Sequence, residues 1–540
     1  MPTALSVLLV CLLSTTAVAS APTAKDARRL LRYPGGSLSL GYTNTGTLLR
    51  GVPLPEQGRG YRIFTSFVKR HTHFGTKELI ALISRAGKHV HSLHPDAVVG
   101  IGNLSREGGG QTGSSVSHKS GRDADIGMFA LTKDGKPRNL KSFVAFEKDG
   151  WDKKKRFQFD PRRNLDLVLA LIEDAKVQVQ VIFVADWLKS RLVQEARKRG
   201  LEVERITRLE TTLRQPSDSN PHHHHYHLRL YCALDDRLHG CLERGDIHPW
   251  IDHGDRVFEA RVQKLVALCS MNEERWRRAA VVRLGEMKAK SALPHLVKGV
   301  EDSSAKVSQA ALHALGQIAD PSVYEPLQAL LFKTQNAKRI VAILDAMLRI
   351  ELPELELTVL TLLSRMDAGT LAVPRRASNT LRLKVLEVLR RFGKKPAFEP
   401  VYALLMGNNK TLARAAHATL RRITNQPITL RRSGRRSFLK VQRQWTSFRE
   451  THNQRSWLEW MRLGFEARSM RDLKMNVEPV SRDVLLKALR HRDGDAAHNA
   501  ALSLMALTGH VAYPWWRNKR NNQRHWRTWF RENPTNQSPD

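Results

Sequence analysis

A short pattern that returns at a fixed interval limits the folds open to this 540-residue chain. Leu284-Gly285-Glu286-Met287 recurs 31 positions later as Leu315-Gly316-Gln317-Ile318. Each copy closes an Ala-rich helical pattern and precedes a second one, Leu293 to Val300 and Tyr324 to Leu331. Asp302-Ser303-Ser304 and Asp320-Pro321-Ser322 supply helix-start punctuation. The pattern returns at Leu386 to Phe392, and Leu420 follows Leu389 by the same 31 positions. A period in the low thirties with two helices per unit predicts an α-solenoid, in which no unit buries its apolar face alone. Val480 to Gly509 reads as a further unit.

These units resemble short HEAT-like repeats. They are expected over residues 260–430. Residues 431–540 then read as a basic linker, a further HEAT-like unit and a Trp-rich cap. Trp457/Trp460 and Trp526/Trp529 are expected to fill core and cap rather than hold a ligand. Arg431 to Arg443 reads as a solvated loop, with a polyanion-binding patch as the alternative. The default partner of such an array is a protein, held on its long surface.

The formal net charge is +36, from 88 Lys and Arg against 52 Asp and Glu. Such a balance favours polyanionic partners: nucleic acid, or anionic polymers and lipids of a cell envelope. The first residues choose between them. Ala4 to Val18 are apolar or small, and Ala17-Val18-Ala19 offers small residues for a signal peptidase, so residues 1–19 read as a signal peptide. A periplasmic or secreted location follows as the expectation, with anionic envelope polymers as partners and no nucleic acid. Export permits disulfides. Cys232 and Cys241 close a short loop and form a candidate pair, while Cys269 reads as a buried free thiol.

Residues 20–245 have a different grammar, mixing strands, helices and Gly-rich turns in an α+β pattern. Thr76 to His91, Leu165 to Ala175 and Asp186 to Gly200 read as helices. Asp96 to Ile101, Asp123 to Phe129 and Tyr226 to Tyr231 read as strands, and Val177 to Val181 alternates like a half-exposed one.

Two segments here carry chemistry. In Ser117-His118-Lys119-Ser120-Gly121-Arg122-Asp123-Ala124-Asp125-Ile126, a His precedes an Asp by seven positions, and Asp123 and Asp125 share one strand face. In His222-His223-His224-His225-Tyr226-His227-Leu228-Arg229, residues His225 and His227 are likewise two apart. Zinc takes about four N, O or S donors, and a catalytic site keeps one position open. Two His and one Asp make three such ligands, and a further His beside the open position can move protons. The competing reading of four consecutive His is a metal-sticky low-complexity run.

The first segment is similar to the S-H-x-[ST]-G-x-D-x-D-I pattern of the penicillin-insensitive murein endopeptidase family. His222-x-x-His225-x-His227-Leu228-Arg229-Leu230-x-Cys232 is similar to its H-x-x-H-x-H-V-R-L-x-C pattern. Gly41-Tyr42-Thr43-Asn44, Gly60-Tyr61 and His73-Phe74-Gly75 resemble the family's amino-terminal part. The resemblance implies an antiparallel sheet carrying a Zn2+ site, with His118, Asp125 and His227 as ligands. It implies His225 as catalytic residue, His222 as a further active-site residue, and peptidoglycan as substrate, cut between D-alanine and diaminopimelate. Asp123 is expected either to orient a ligand His or to satisfy nearby backbone donors, and Arg229 either to bind a substrate carboxylate or to pair with an Asp. The family pattern has a His three residues before the first ligand where this chain has Ser115, a departure that bears on an accessory position. Rival readings are a non-catalytic wall-binding protein, a zinc carboxypeptidase that trims terminal D-alanine, and a nucleic-acid-binding solenoid.

Overall fold

A computed structural model describes residues 21–113, 115–216, 220–371, 373–430, 435–468, 482–510 and 519–533. The expected signal peptide, part of the Arg-rich stretch and the start of the Val480 unit lie outside the described residues.

The amino-terminal part is built on a seven-stranded sheet. Its strands are β1 (Gln57–Gly58), β2 (Tyr61–Ile63), β3 (Val99–Ile101), β4 (Asp123–Ile126), β5 (Val179–Phe183), β6 (Leu213–Arg214) and β7 (Tyr226–Leu230). Their spatial order is β6-β5-β7-β4-β3-β2-β1. The central run from β5 to β3 is antiparallel as expected. Parallel pairs flank it, β5 with β6 and β2 with β3, so the sheet is mixed. The alternation expected over Val177 to Val181 holds only at its start: Gln178 is exposed, but Val179 to Ile182 are all buried. Gln180 lies inside because its side-chain amide donates to the Arg244 carbonyl at 2.9 Å, which removes the cost of an unpaired polar group.

Helix α1 (Ala24–Leu31) precedes the sheet, and α2 (Lys77–Leu93), α3 (Pro161–Ile172), α4 (Asp186–Lys198) and α5 (Val203–Thr212) surround it. Thr76 caps α2 with its hydroxyl, and Leu79, Ile83, Ala86 and Val90 repeat at helical spacing to bury one face. Asp160 caps α3, and Pro161 sits at its first turn, where a missing N–H costs nothing.

The carboxy-terminal half is helical. The pairs are α6 (Asp255–Leu268) with α7 (Glu274–Glu286), α8 (Leu293–Gly299) with α9 (Ala305–Ile318), and α10 (Tyr324–Lys333) with α11 (Ala337–Ile350). They continue as α12 (Leu355–Asp367) with α13 (Arg375–Phe392), and α14 (Phe398–Met406) with α15 (Lys410–Ile423). Then come α16 (Arg435–His452), α17 (Trp457–Glu466), α18 (Arg482–Ala488), α19 (Gly494–Thr508) and α20 (Lys519–Glu532). The odd-numbered helices from α7 to α15 pack successively on one another.

The repeated Leu and Gly have a physical cause. Leu284, Leu315, Leu389 and Leu420 are all fully buried. A Cβ on Gly285 would lie 2.8 Å from the Ala314 Cα, and one on Gly316 would lie 3.2 Å from the Ala346 Cα. The glycine is where the next helix makes its closest approach. Trp457, Trp460 and Trp526 are buried and Trp529 is partly buried. Cys269 is only half-buried, and burial pushes its thiol up to about 12.

Among the described residues no helix is long and apolar enough to cross a membrane. The two halves have separate apolar cores, and Ala27 of α1 belongs to the helical one. Arg261 donates to the α1 carbonyl of Leu30 at 2.6 Å, and Arg283 lies over Tyr33 at 4.2 Å. The chain thus touches the first helix pair, builds the sheet, and returns. Ala27→Asp is predicted to cost on the order of 3 kcal/mol by burying a charge, with lost amide protection in α6 and α7 and none in β4. Equal loss in β4, or no loss, would contradict this threading.

Candidate metal centre

The site lies where β4 pairs with β7. In this antiparallel register His227 faces Asp125, and Arg229 faces Asp123. Both pairs project from one face because two residues separate them on each strand. The backbone of Asp125 is pinned from the other side: Gly102 N–H donates to its carbonyl and its own N–H donates to Asn103, both at 2.8 Å.

His118 is not on a strand. It sits in a loop with φ of 65°, a left-handed conformation that needs outside support for a residue other than glycine. Three contacts give it. The Ser105 hydroxyl donates to the His118 carbonyl at 2.5 Å, Asp123 Oδ2 accepts from the His118 N–H at 3.1 Å, and Lys119 N–H donates to Thr43 at 3.0 Å. His225 likewise precedes β7 rather than lying on it.

These elements bring three imidazoles around one carboxylate oxygen. Asp125 Oδ1 lies 3.2 Å from His118 Nε2, 3.2 Å from His225 Nε2 and 3.2 Å from His227 Nδ1. The oxygen is buried and forms no aligned hydrogen bond with any of them. His118 Nδ1, His225 Nδ1 and His227 Nε2 are also buried without a hydrogen-bond partner. Donor atoms bound tetrahedrally at about 2.0 Å from zinc stand about 3.3 Å apart, so this spacing suits a cation of that size. Two overlapping groups have ligand atoms mutually within 4.8 Å: His118, Asp125 and His227, and His222, His225 and His227. The His and Asp donor set, with Asp125 Oδ1 buried and unpaired at its middle, fits a zinc ion.

The electrostatics favour positive charge at the centre. Burial opposes ionisation of Asp125, but His118 and His225 outweigh it and hold the carboxyl well below its usual range. Burial also opposes ionisation of Asp123, and Arg229 and His227 hold it well below. Burial pulls His227 down, yet the two carboxylates raise it to about 9. Burial, reinforced by His227 and His225, pulls His222 down to about 4.

Arg229 takes the second of its two expected roles. Its Nε and Nη2 donate to the two Asp123 oxygens at 2.8 and 3.1 Å. Asp123 Oδ2 lies 3.6 Å from His227 Nε2, beyond hydrogen-bond length, and acts on that ring through charge. A disulfide joins Cys232 and Cys241, just past β7.

Three residues escaped the motif reading. Ser105 is fully buried and holds both His118 and the Gly121 N–H. Phe143 stacks on His225 with ring centroids 4.7 Å apart, and a Cβ on Gly102 would overlap its ring. Phe183 packs against His227 and His222. Only the glycine left a mark in the sequence.

Residues 39–279 match the model of a family described as penicillin-insensitive murein endopeptidase, and residues 262–347 match that of HEAT repeats. Both resemblances read from the sequence are borne out over these stretches. The penicillin-insensitive murein endopeptidases of Escherichia coli strain SE11 and of Escherichia coli O1:K1 / APEC are each 30% identical over 120 residues, 22% of this chain and 42% of the relative. The chain thus spans about two fifths of the length of the curated relatives it matches. Among solved structures, the complex of CpcE and CpcF of phycocyanin lyase from Nostoc sp. PCC7120 is 17% identical, covers 39% of this chain and 83% of that chain, and has a TM-score of 0.21. A designed armadillo repeat protein is 17% identical, covers 45% of this chain and 99% of that chain, with a TM-score of 0.20.

Arg229→Leu removes the bidentate cation from buried Asp123, leaving it the His118 N–H and the His227 ring, and is predicted to cost about 3 kcal/mol in denaturant unfolding. A loss below about 1 kcal/mol would mean that Asp123 does not depend on this partner.

Proposed function

With residues 39–279 matching the penicillin-insensitive murein endopeptidase family, we propose that this chain hydrolyses the peptide cross-links of peptidoglycan, as a zinc D,D-endopeptidase cutting between D-alanine and diaminopimelate. One observation carries the reading: Asp125 Oδ1 stands 3.2 Å from each of three imidazole nitrogens. His118, Asp125 and His227 hold the zinc. When bound, zinc supplies Lewis acidity toward the scissile carbonyl and makes an attacking water more acidic.

The chain's own groups do the rest. His225 takes the proton of the attacking water and delivers it to the leaving amine as the carbon–nitrogen bond breaks. Its ring is oriented by Phe143 rather than by a hydrogen bond at Nδ1. His222 is held neutral by burial near pH 7, so it can hydrogen-bond the tetrahedral oxygen or the leaving group without adding charge. Asp123 keeps His227 and the His118 backbone in place. The Cys232–Cys241 disulfide supports a periplasmic or secreted location.

His118→Ala, Asp125→Ala and His227→Ala are predicted to lose both bound zinc and turnover, whereas His225→Ala keeps zinc and loses about 10²–10⁴-fold in kcat. Metal analysis of the purified variants and fragment analysis of digested sacculi check this. Cross-linked dimers should fall to monomers without chelator and persist with it. Loss of terminal D-alanine alone would make the enzyme a carboxypeptidase, and unchanged sacculi would leave only a wall-binding role.

A further inference from the structure

The helices α7, α9, α11, α13 and α15 stack in sequence, so their remaining solvent sides form one continuous face. These five helices hold 18 Lys and Arg against 4 Asp and Glu, and five of the 18 pair with acids of other elements: Arg277 with Asp302, Arg382 with Asp367, Arg391 with Glu351, and Arg421 and Arg422 with Asp495. All four acids are already engaged. Glu274 pairs with Lys306 and Glu286 with Arg283, each at 3.1 Å, while Asp345 and Glu387 both bind Lys384. Exposed on this face, Arg278, Lys338, Arg349, Arg376, Arg390 and Lys410 have no acidic partner among the described residues.

Like charges aligned in this way repel, and the fold offers them no internal compensation. Neighbouring helices lie about 8–10 Å apart, so the cations extend over on the order of 40 Å. A small anion would neutralise one of them. A long polymer with repeated anions would neutralise all of them at once, through individually weak and additive contacts.

We infer that this face binds the glycan polymer whose peptide stems carry free carboxylates, and holds the chain on the insoluble substrate that its metal centre cuts. The identity of the polymer rests on the function proposed above; the polyanion-binding face does not. Contacts between exposed charges are screened by salt within about 8–10 Å at physiological ionic strength, so the attachment is reversible and salt-sensitive.

The test is co-sedimentation of the full-length chain with purified sacculi from about 50 to about 300 mM salt. Binding should weaken by about tenfold or more across that range. It should also weaken when the sacculus carboxylates are amidated. The fourfold variant Arg278→Glu, Lys338→Glu, Arg376→Glu, Lys410→Glu should lose binding at every salt concentration. The matching Gln set, which removes charge without adding any, should lose less. His118→Ala should sediment like the parent chain, because the face acts apart from the metal centre. Salt-independent sedimentation that survives the Glu substitutions would overturn the inference. So would tighter binding to duplex DNA than to sacculi in about 150 mM salt. A chain that sediments as predicted yet releases no fragments leaves the face standing and rejects the enzymatic reading.

Discussion

The candidate metal centre is anchored by the register between β4 and β7, which sets Asp125 and His227. Antiparallel pairing sets His227 opposite Asp125 and Arg229 opposite Asp123. A slip of one residue would send the two side chains of one strand to the face opposite the two of its partner. The Arg229–Asp123 pair is buried on the carboxylate side and guards against that slip, since a misplaced partner would strand a charge in the core. Chemistry and fold specificity are therefore written into the same two strands. The ion pair orders the sheet, and the neighbouring pair, two residues along, meets His118 and His225.

Much of this was legible in the sequence. The spacing of Asp123 from Asp125 and of His227 from Arg229 places each pair on one strand face, because a strand repeats every two residues. The 31-residue return of Leu and Gly revealed the solenoid, because each buried Leu and each close-packed Gly answers to the same neighbour in the next unit. Contacts between distant segments were not legible. Ser105 reaches His118 across 13 positions with no pattern to announce it. Phe143 comes to His225 from a loop, and Gln180 breaks the alternation of its strand only because Arg244 meets it inside. The left-handed backbone at His118 was equally silent, since it is imposed by neighbours rather than by the residue.

The solenoid is joined to the sheet at more than one point. Helix α1 lies against α6 and α7, and the short turn Leu234–Arg237 reaches forward, with Arg237 bound to Asp255 at 2.6 Å. The chain enters and leaves the sheet through the same end of the repeat array. The cation-rich face of the odd-numbered helices and the candidate metal centre are thus joined through one end of the repeat array.

Two His and one Asp, two of them set by this register and His118 by its loop, are proposed to hold zinc. Zinc-edge X-ray absorption on the purified chain tests it most directly. The expected spectrum has about four N and O neighbours at about 2.0–2.1 Å, with the outer-shell scattering of imidazole, and His227→Ala loses that imidazole signal. A first shell of water oxygens without imidazole, or a shell unchanged by that substitution, would contradict it.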